Sequence, residues 1–422
     1  MIWLIILLFV LFFFRVPIAF ALGITSLVGL ILSGTDLILV AQKIFSGIDS
    51  FTLLAIPLFV LAGELMTAGG ISRRLVEFAA LLVGHLPAGL AMVGVLACTL
   101  FSSISGTAIA DAAAIGGMLI PAMIAQGYDK RFASTLVASA STIGPVIPPS
   151  IPLILYGVIA SVSIGDLFMA GVVPGILMAG GLMLYTYYYG VKHQIKGREK
   201  MASLKEIVLG LKDAFLALML PIIIIGGFRF GIFTATEAGV VAVVYAFMVG
   251  LLYRELNVKK FVKSLFDSAV SSATILFVIG NATLFTWLLS YHSIPQQISS
   301  YVSSLSTEPW IILLIINIVL LITGTFIDTI SALTIFTPLF LPVILAAGID
   351  PVHFGIVMMV SLTIGMITPP LGVALFVTSS IAKVNLAQMV RPLMPMLLVL
   401  LLVLALITYI PGLSLFLPRL WG

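Results

Sequence analysis

Gly144-Pro145-Val146-Ile147-Pro148-Pro149 and Gly365-Met366-Ile367-Thr368-Pro369-Pro370 sit in the middle of two otherwise apolar stretches, 132–160 and 352–382. Proline lacks an amide N–H, and its ring displaces the carbonyl four residues earlier, so a Pro-Pro step cannot continue an α-helix. Each stretch therefore reads as a membrane span broken near its middle. Pro148 and Pro149 free the carbonyls of Gly144 and Pro145, and Pro369 and Pro370 free those of Gly365 and Met366. A free carbonyl in hydrocarbon costs several kcal/mol unless something satisfies it.

The two breaks belong to one internal repeat. Pro121, Ala125, Gly127 and Asp129 recur 221 positions later as Pro342, Ala346, Gly348 and Asp350. At the same offset Thr142, Ile143, Gly144, Pro148 and Pro149 recur as Thr363, Ile364, Gly365, Pro369 and Pro370. With gaps, Phe14-Arg15 resembles Phe228-Arg229, and Gly106-Thr107 resembles Gly324-Thr325. The division that follows is a first repeat over 1–190, a basic linker over 191–213 and a second repeat over 214–422. Paired, Gly/Pro-interrupted spans in corresponding places of two halves mark the binding site of a secondary transporter.

Just before each broken span lies an apolar stretch, 88–126 and 309–347, of roughly twice the length needed to cross a bilayer. Each has a polar, small-residue centre: Ser102-Ser103-Ile104-Ser105-Gly106-Thr107 in the first, Thr323-Gly324-Thr325 in the second. Such a stretch is either a hairpin that turns back at mid-membrane or two crossings joined by a tight loop. The segments 37–51 and 254–272 are amphipathic, with apolar residues at helical spacing and Lys259, Lys260 and Lys263 opposite them in the second. They read as arm helices lying along the membrane surface.

Composition agrees with this picture. The 422 residues are 61% hydrophobic and 9% charged, with a mean hydropathy of +1.28. A soluble domain carries about 25% charged residues, so the bilayer is the solvent and the chain is an all-α polytopic membrane protein. The pI of about 9.1 does not point to nucleic acid, because the few basic residues lie between spans and act as topology signals. The first stretch, 2–14, lacks a basic leader and a cleavage motif and reads as a retained span ending at Arg15. Arg73, Arg74, Lys130 and Arg131 flank the first hairpin, whereas His292, Glu308, Asp350 and His353 flank the second. The positive-inside rule then opens the two hairpins to opposite sides, inverts the two halves, and places 191–213 in the cytoplasm. This threading returns each hairpin to its starting side, which favours re-entry.

The chemistry expected of such breaks is cation and anion binding. A bare Na⁺ needs a cage of oxygens, and the breaks and hairpin tips offer carbonyls together with Ser102, Ser105, Thr107 and Thr325. Structural kinks satisfied by hydroxyls or water are the alternative. The half-helix N-termini after the breaks suit a carboxylate, so an organic anion is expected between the tips, near Gly106, Thr107, Thr142, Thr325 and Asp328. Asp111 and Asp328, near the two tips, are either functional or helix-capping carboxylates. The lone Cys98 permits no internal disulfide, and His85, His193, His292 and His353 do not cluster into a metal site. With no GxxxxGK[ST], no HExxH and no Asp/His cluster, nucleotide-driven transport and membrane enzymes are not expected.

FTLLAIPLFVLAGELMTAGGISRRL (51–75), SISGTAIADAAAIGGMLIPAM (103–123), TIGPVIPPSIP (142–152), PIIIIGGFRFGIFTATEAG (221–239) and TIGMITPPLG (363–372) together resemble the large membrane subunit of tripartite ATP-independent periplasmic (TRAP) transporters, across essentially the whole chain. The resemblance implies an elevator of the ion-transporter-superfamily type, with inverted repeats, re-entrant hairpins, arm helices and a scaffold. It implies Na⁺ coupling, a small four-helix membrane subunit on a separate polypeptide, a periplasmic substrate-binding protein, and the bacterial inner membrane as location. It also implies sodium ligands at Ser102, Ser105, Gly144, Ile147 and Pro149 in one site and at Gly324, Gly365 and Thr368 in the other. The expected function is Na⁺-coupled import of an organic acid: a C4-dicarboxylate, a sugar acid or a sialic acid. The rival readings are a self-sufficient sodium/dicarboxylate symporter and a passive channel.

Overall fold

The computed structural model describes residues 2–14, 16–198, 200–306 and 308–421. Arg15, expected to end the first span, lies outside the described residues. The described residues form twenty α-helices and no strand. In chain order the first half contains α1 (Ile2–Phe13), α2 (Ile18–Leu32), α3 (Ile38–Ile48), a 3₁₀ turn (Phe51–Leu54) leading into α4 (Ala55–Ala68), and α5 (Ile71–Val83). It continues with α6 (Gly89–Ser105), α7 (Ala108–Ala125), α8 (Lys130–Ser141), α9 (Ile151–Ala160) and α10 (Ile164–Lys192). The second half contains α11 (Leu204–Arg229), α12 (Ala235–Leu252), α13 (Val258–Tyr291), α14 (Ile294–Leu305), α15 (Pro309–Gly324) and α16 (Thr329–Ala346). It ends with α17 (Pro351–Gly365), α18 (Val373–Ala382), α19 (Leu386–Tyr409) and α20 (Gly412–Trp421). Among the described residues, eight helices are long and apolar enough to cross a membrane.

Both Pro-Pro steps interrupt their helices, between α8 and α9 and between α17 and α18. The repeated Asp129 and Asp350 open the two broken helices as N-caps: Asp129 accepts the Arg131 N–H at 2.8 Å, and Asp350 accepts the Val352 N–H at 2.8 Å. Each cap satisfies an amide that the helix itself leaves without a partner.

The segment 254–272 departs from expectation. It is not a separate surface helix: from Val258 it runs unbroken to Tyr291 as α13, 34 residues or about 51 Å long. The physical reason is the absence of a breaker, since the stretch carries no proline and no glycine before Gly280. In the first half Asp49 and Ser50 leave helical geometry and separate α3 from α4.

The packing interlocks the halves. The hairpin α6–α7 packs on α8 and on α18 of the second half, and the hairpin α15–α16 packs on α17, with α16 against α9 of the first half. Each half-helix that follows a break has thus crossed to the other repeat. At the α9–α17 contact the Tyr156 ring fills the space left by Gly355, and the Tyr156 hydroxyl donates to the Pro351 carbonyl at 2.6 Å. Elsewhere α4 packs on α12, and α13 packs on α2, α3 and α4. Burial inside a bilayer brings no hydrophobic gain between helices, so close packing and buried hydrogen bonds hold the bundle. Ser361 donates to Asn317, and Asn317 to Thr408, each at 2.9 Å, tying α17, α15 and α19 together. Such interhelical bonds contribute about 0.6–1.7 kcal/mol each.

Candidate functional site

Each hairpin turns against a break. At the first tip Gly106 takes a left-handed φ of 61°, and a Cβ there would meet the Pro149 carbonyl at 2.9 Å. Gly144 lies under the same tip, where a Cβ would come within 2.6 Å of the Asp111 carboxylate and 3.1 Å of the Thr107 carbonyl. At the second tip Gly324 and Gly365 meet backbone to backbone, with 2.6 Å from a built Gly365 Cβ to the Gly324 Cα. Glycine is required at these positions because any side chain would push tip and break apart.

The returning legs start with equivalent caps. Thr107 Oγ1 accepts the Ala110 N–H at 3.3 Å; Asp328 accepts the Ser331 N–H at 3.1 Å and the Ser331 hydroxyl at 2.6 Å. Thr107 and Asp328 are 221 positions apart, the offset of the breaks. By its capping role the counterpart of Thr107 is Asp328 rather than Thr325. Only Gly106 stands between α6 and its cap, whereas Thr325, Phe326 and Ile327 stand between α15 and its cap. The second tip is longer, and the gap needed to pair the glycines is a difference in loop length.

Asp111 and Asp328 accordingly hold different places. Asp111, in the first turn of α7, is fully buried and accepts hydroxyl hydrogen bonds from Ser102, at 2.7 Å, and from Ser105. The carboxylate bridges the two hairpin legs. Its counterpart at the repeat offset is Ala332, so the second hairpin has no such bridge. Asp328 instead caps α16 and is only partly buried.

The carbonyls that the prolines release are mostly taken. Pro145 accepts the Ser150 hydroxyl, Gly365 accepts the Thr368 N–H at 2.8 Å, and Met366 accepts the Ala374 N–H at 3.1 Å. The reading of all four as free is corrected: the chain re-satisfies three, two within the breaks and the Met366 carbonyl from the first turn of α18. Among the described residues, the Gly144 carbonyl is the one of the four that accepts no hydrogen bond. A carbonyl with one bond still has a second lone pair to offer a cation.

Between the two tips lies a cavity of about 150 Å³. Thr107, Ala108 and Ile109 of the first tip line it, with Asp328, Thr329 and Ile330 of the second; Pro145 and Met366 come from the breaks and Pro152 from the first turn of α9. Among the described residues, Asp328 is its one charged lining residue. The amino ends of α7 and α16 both begin at this cavity, and their free amides favour negative charge.

Of the residues expected to hold sodium, Ser102, Ser105 and Gly144 gather at the first tip around Asp111, and the Pro149 carbonyl lies against Gly106 of the same tip. The side chain of Ile147 turns away onto Gly175 of α10. Gly324 and Gly365 are in contact, and Thr368 lines a separate cavity of about 330 Å³ with Thr325, Phe326 and Leu397. Of the expected substrate residues, Thr107 and Asp328 reach the central cavity. Gly106 is spent on the Pro149 contact, and Thr325 faces the other cavity. Thr142 is buried, donating to the Ser139 carbonyl at 2.7 Å. The lining by Ala108, Ile109, Thr329 and Ile330 was missed; the readable signal was the cap pattern Asp328-x-x-Ser331 marking where α16 begins. A larger cavity of about 610 Å³, edged by Ser161, Ser163, Asp166 and Arg229, lies at the α9–α10 turn and includes no tip residue.

Residues 5–413 match the family described as "Tripartite ATP-independent periplasmic transporter, DctM component". The chain is 44% identical to the uncharacterized protein YgiK of Salmonella typhimurium, over 96% of this chain and 94% of that one. It is 42% identical to the C4-dicarboxylate TRAP transporter large permease protein DctM of Pseudomonas aeruginosa, over 95% and 94%. It is 40% identical to the sialic acid TRAP transporter large permease protein SiaM of Vibrio cholerae, over 97% and 96%. Among solved structures, the Alcanivorax borkumensis YdaH transporter has a similar fold, with a TM-score of 0.63 at 15% identity over 90% of this chain and 88% of that one. With its residues matched almost from end to end, this chain belongs to the DctM family of TRAP transporter large permeases.

Proposed function

We propose that this permease drives the import of an organic acid anion with Na⁺, an elevator motion carrying the two hairpins and broken helices across a scaffold built on α4, α12 and α13. The observation that carries the reading is the central cavity. It lies between both tips and both breaks, and among the described residues its lining offers helix N-termini and the Asp328 carboxylate but no Lys, Arg or His. An organic anion entering beside Asp328 brings a second negative charge into a site without a cationic side chain. Burying that charge is prohibitive unless cations are bound alongside. The oxygens gathered around Asp111, Ser102, Ser105 and the Gly144 carbonyl suit one Na⁺, and the carbonyls where Gly324 meets Gly365 suit another. On this reading the hairpins are re-entrant, the repeats are inverted, and 191–213 faces the cytoplasm of a bacterial inner membrane.

The relatives transport C4-dicarboxylates or sialic acid by name; the cargo proposed here is an organic acid of that broad class, including sugar acids. A small membrane subunit and a periplasmic binding protein complete the tripartite assembly. The test is uptake into proteoliposomes holding this chain and its small subunit, with candidate acids, with and without an inward Na⁺ gradient and the cognate binding protein. Uptake requiring both supports the proposal. Uptake with Na⁺ alone shows a self-sufficient symporter, and flux indifferent to Na⁺ shows a channel; either outcome overturns the proposal in that respect.

A further inference from the structure

A second, apolar cavity lies away from the central site, between α1, α13, α14 and the second hairpin. Its volume is about 300 Å³, with Phe9 and Phe12 of α1, Phe285 of α13, Ile316 of α15, and Phe336 and Leu339 of α16 on its walls. No polar surface lines it. A space of that size has room for about ten waters, but a buried water needs two to four polar partners, and none is offered. Left empty, it would strip its walls of dispersion contacts, at a cost that grows with its volume.

The cavity is continuous with the outer surface. Ile5 and Phe9 also line a shallow groove with Ile6, Val10 and Phe14, and Ile6 and Phe14 are 56% and 71% exposed. On the α14 side Tyr301 belongs to the lining and is 66% exposed. Tyrosine favours the boundary between headgroups and hydrocarbon, with its ring in the apolar zone and its hydroxyl in the wet one. Next to Tyr301 the exposed Gln297 and Ser300 offer uncharged hydrogen-bonding groups, and α14 has no charged residue.

We infer that this cavity is a binding site for one acyl chain of a membrane lipid, which enters from the α1 groove and packs between α1 and the second hairpin. The material bordering an apolar opening on a membrane-spanning chain is lipid, and a flexible hydrocarbon chain fills an irregular dry space without unsatisfied polar atoms. Recognition rests on the chain and not on headgroup charge, because α14 presents only neutral polar groups.

The test is photolabelling of the full chain, reconstituted in liposomes containing a phosphatidylcholine with a diazirine in the middle of one acyl chain, with adducts mapped by mass spectrometry. The inference expects adducts on inward-facing cavity residues such as Phe12, Ile316 and Leu339, beside those on exposed faces such as Leu398. Leu339→Trp, which fills the space, is expected to abolish the cavity adducts and spare those at Leu398; Ile316→Phe is a milder plug should Leu339→Trp fail to fold. Labelling of exposed faces with none in the cavity of the unmodified chain overturns the inference. So does loss of cavity adducts on co-expression with the small membrane subunit, which would make a polypeptide the occupant.

Discussion

The two hairpin tips arise from one repeated design and have been finished differently. The first is tight and sealed. One glycine separates its legs, and Asp111 clamps them through Ser102 and Ser105. The second is looser and more open: three residues precede its cap, Ala332 replaces the clamp, and Phe326 and Leu371 are 52% and 41% exposed. Its carboxylate, Asp328, has moved from the inside of the hairpin to the edge of the central cavity. The lesson is that the repeat preserves where the backbone turns while the charges are free to specialise. The first tip holds an acidic side chain between its legs; the second has alanine in that place.

The sharpest way to break this comparison is Asp111→Ala. It is expected to weaken apparent Na⁺ affinity by about 10²–10³-fold, the scale for removing one partner of a buried charge pair, in Na⁺ titrations of uptake. Unchanged titration would leave Asp111 as a purely structural clamp. The next effect concerns the glycine contacts. Gly365→Ala drives a Cβ into the Gly324 backbone, which cannot yield as a side chain can. It is expected to destabilise the protein by about 1–3 kcal/mol, read as a lower thermal midpoint, whereas the Cβ of Gly144→Ala meets first the Asp111 side chain and impairs Na⁺ dependence more than stability. Third, Ser105→Ala removes a hydroxyl from the Asp111 cluster and should raise the half-saturating Na⁺ concentration by about tenfold, from a charge-assisted bond of roughly 1.5 kcal/mol. Thr325→Ala removes a hydroxyl already committed to the Ile322 carbonyl at 2.7 Å and should change Na⁺ dependence less.

The smallest expected effect separates the caps of the two broken helices. The Arg131 guanidinium hydrogen-bonded to Asp129 holds its carboxyl below the usual range, and the Arg131 backbone N–H adds to this. A depressed folded-state pKa stabilises the fold at pH values above the unfolded value of about 3.9, and that contribution is lost as pH falls through the folded-state value. The pair is exposed, so Arg131→Ala should lower stability only slightly at neutral pH, and less in high salt. Asp350, the matching cap, has no such arginine beside its helix start. Thermal melts of Arg131→Ala at low and high salt check this: a salt-independent loss would show that the side chain acts through packing alone.

Much of the architecture was legible because proline and glycine act locally. The Pro-Pro steps predict breaks wherever the rest of the chain goes, and the constant offset ties the halves together without reference to packing. What escaped depends on neighbours. The change from amphipathic to fully apolar pattern near residue 272 looks like a boundary, yet α13 passes through it because nothing there stops a helix. The released carbonyls looked available because their new partners, Ser150 and Thr368 in the turns and Ala374 at the start of α18, are brought to them by a backbone path that no residue pattern announces. At the site, Asp111 and Asp328 were both marked as intramembrane acids. The difference between clamp and cavity edge follows from one tip being longer than the other, and that became readable only when the caps could be aligned.

The exchange of half-helices bears on how the chain is made. α9 emerges early in synthesis, but its partner α16 begins at Thr329, well over a hundred residues later. At roughly 5–20 residues per second that is a wait of about 10–35 s, during which α9 has its α4 and α10 contacts but lacks the α16 surface, and the first break lacks its full enclosure. The amino-terminal repeat is therefore not an apprentice domain that matures first and waits for a twin. The two repeats reach their final form together, and a ribosome halted between them would leave a half in which α9 packs on α4 and α10 with its α16 face uncovered.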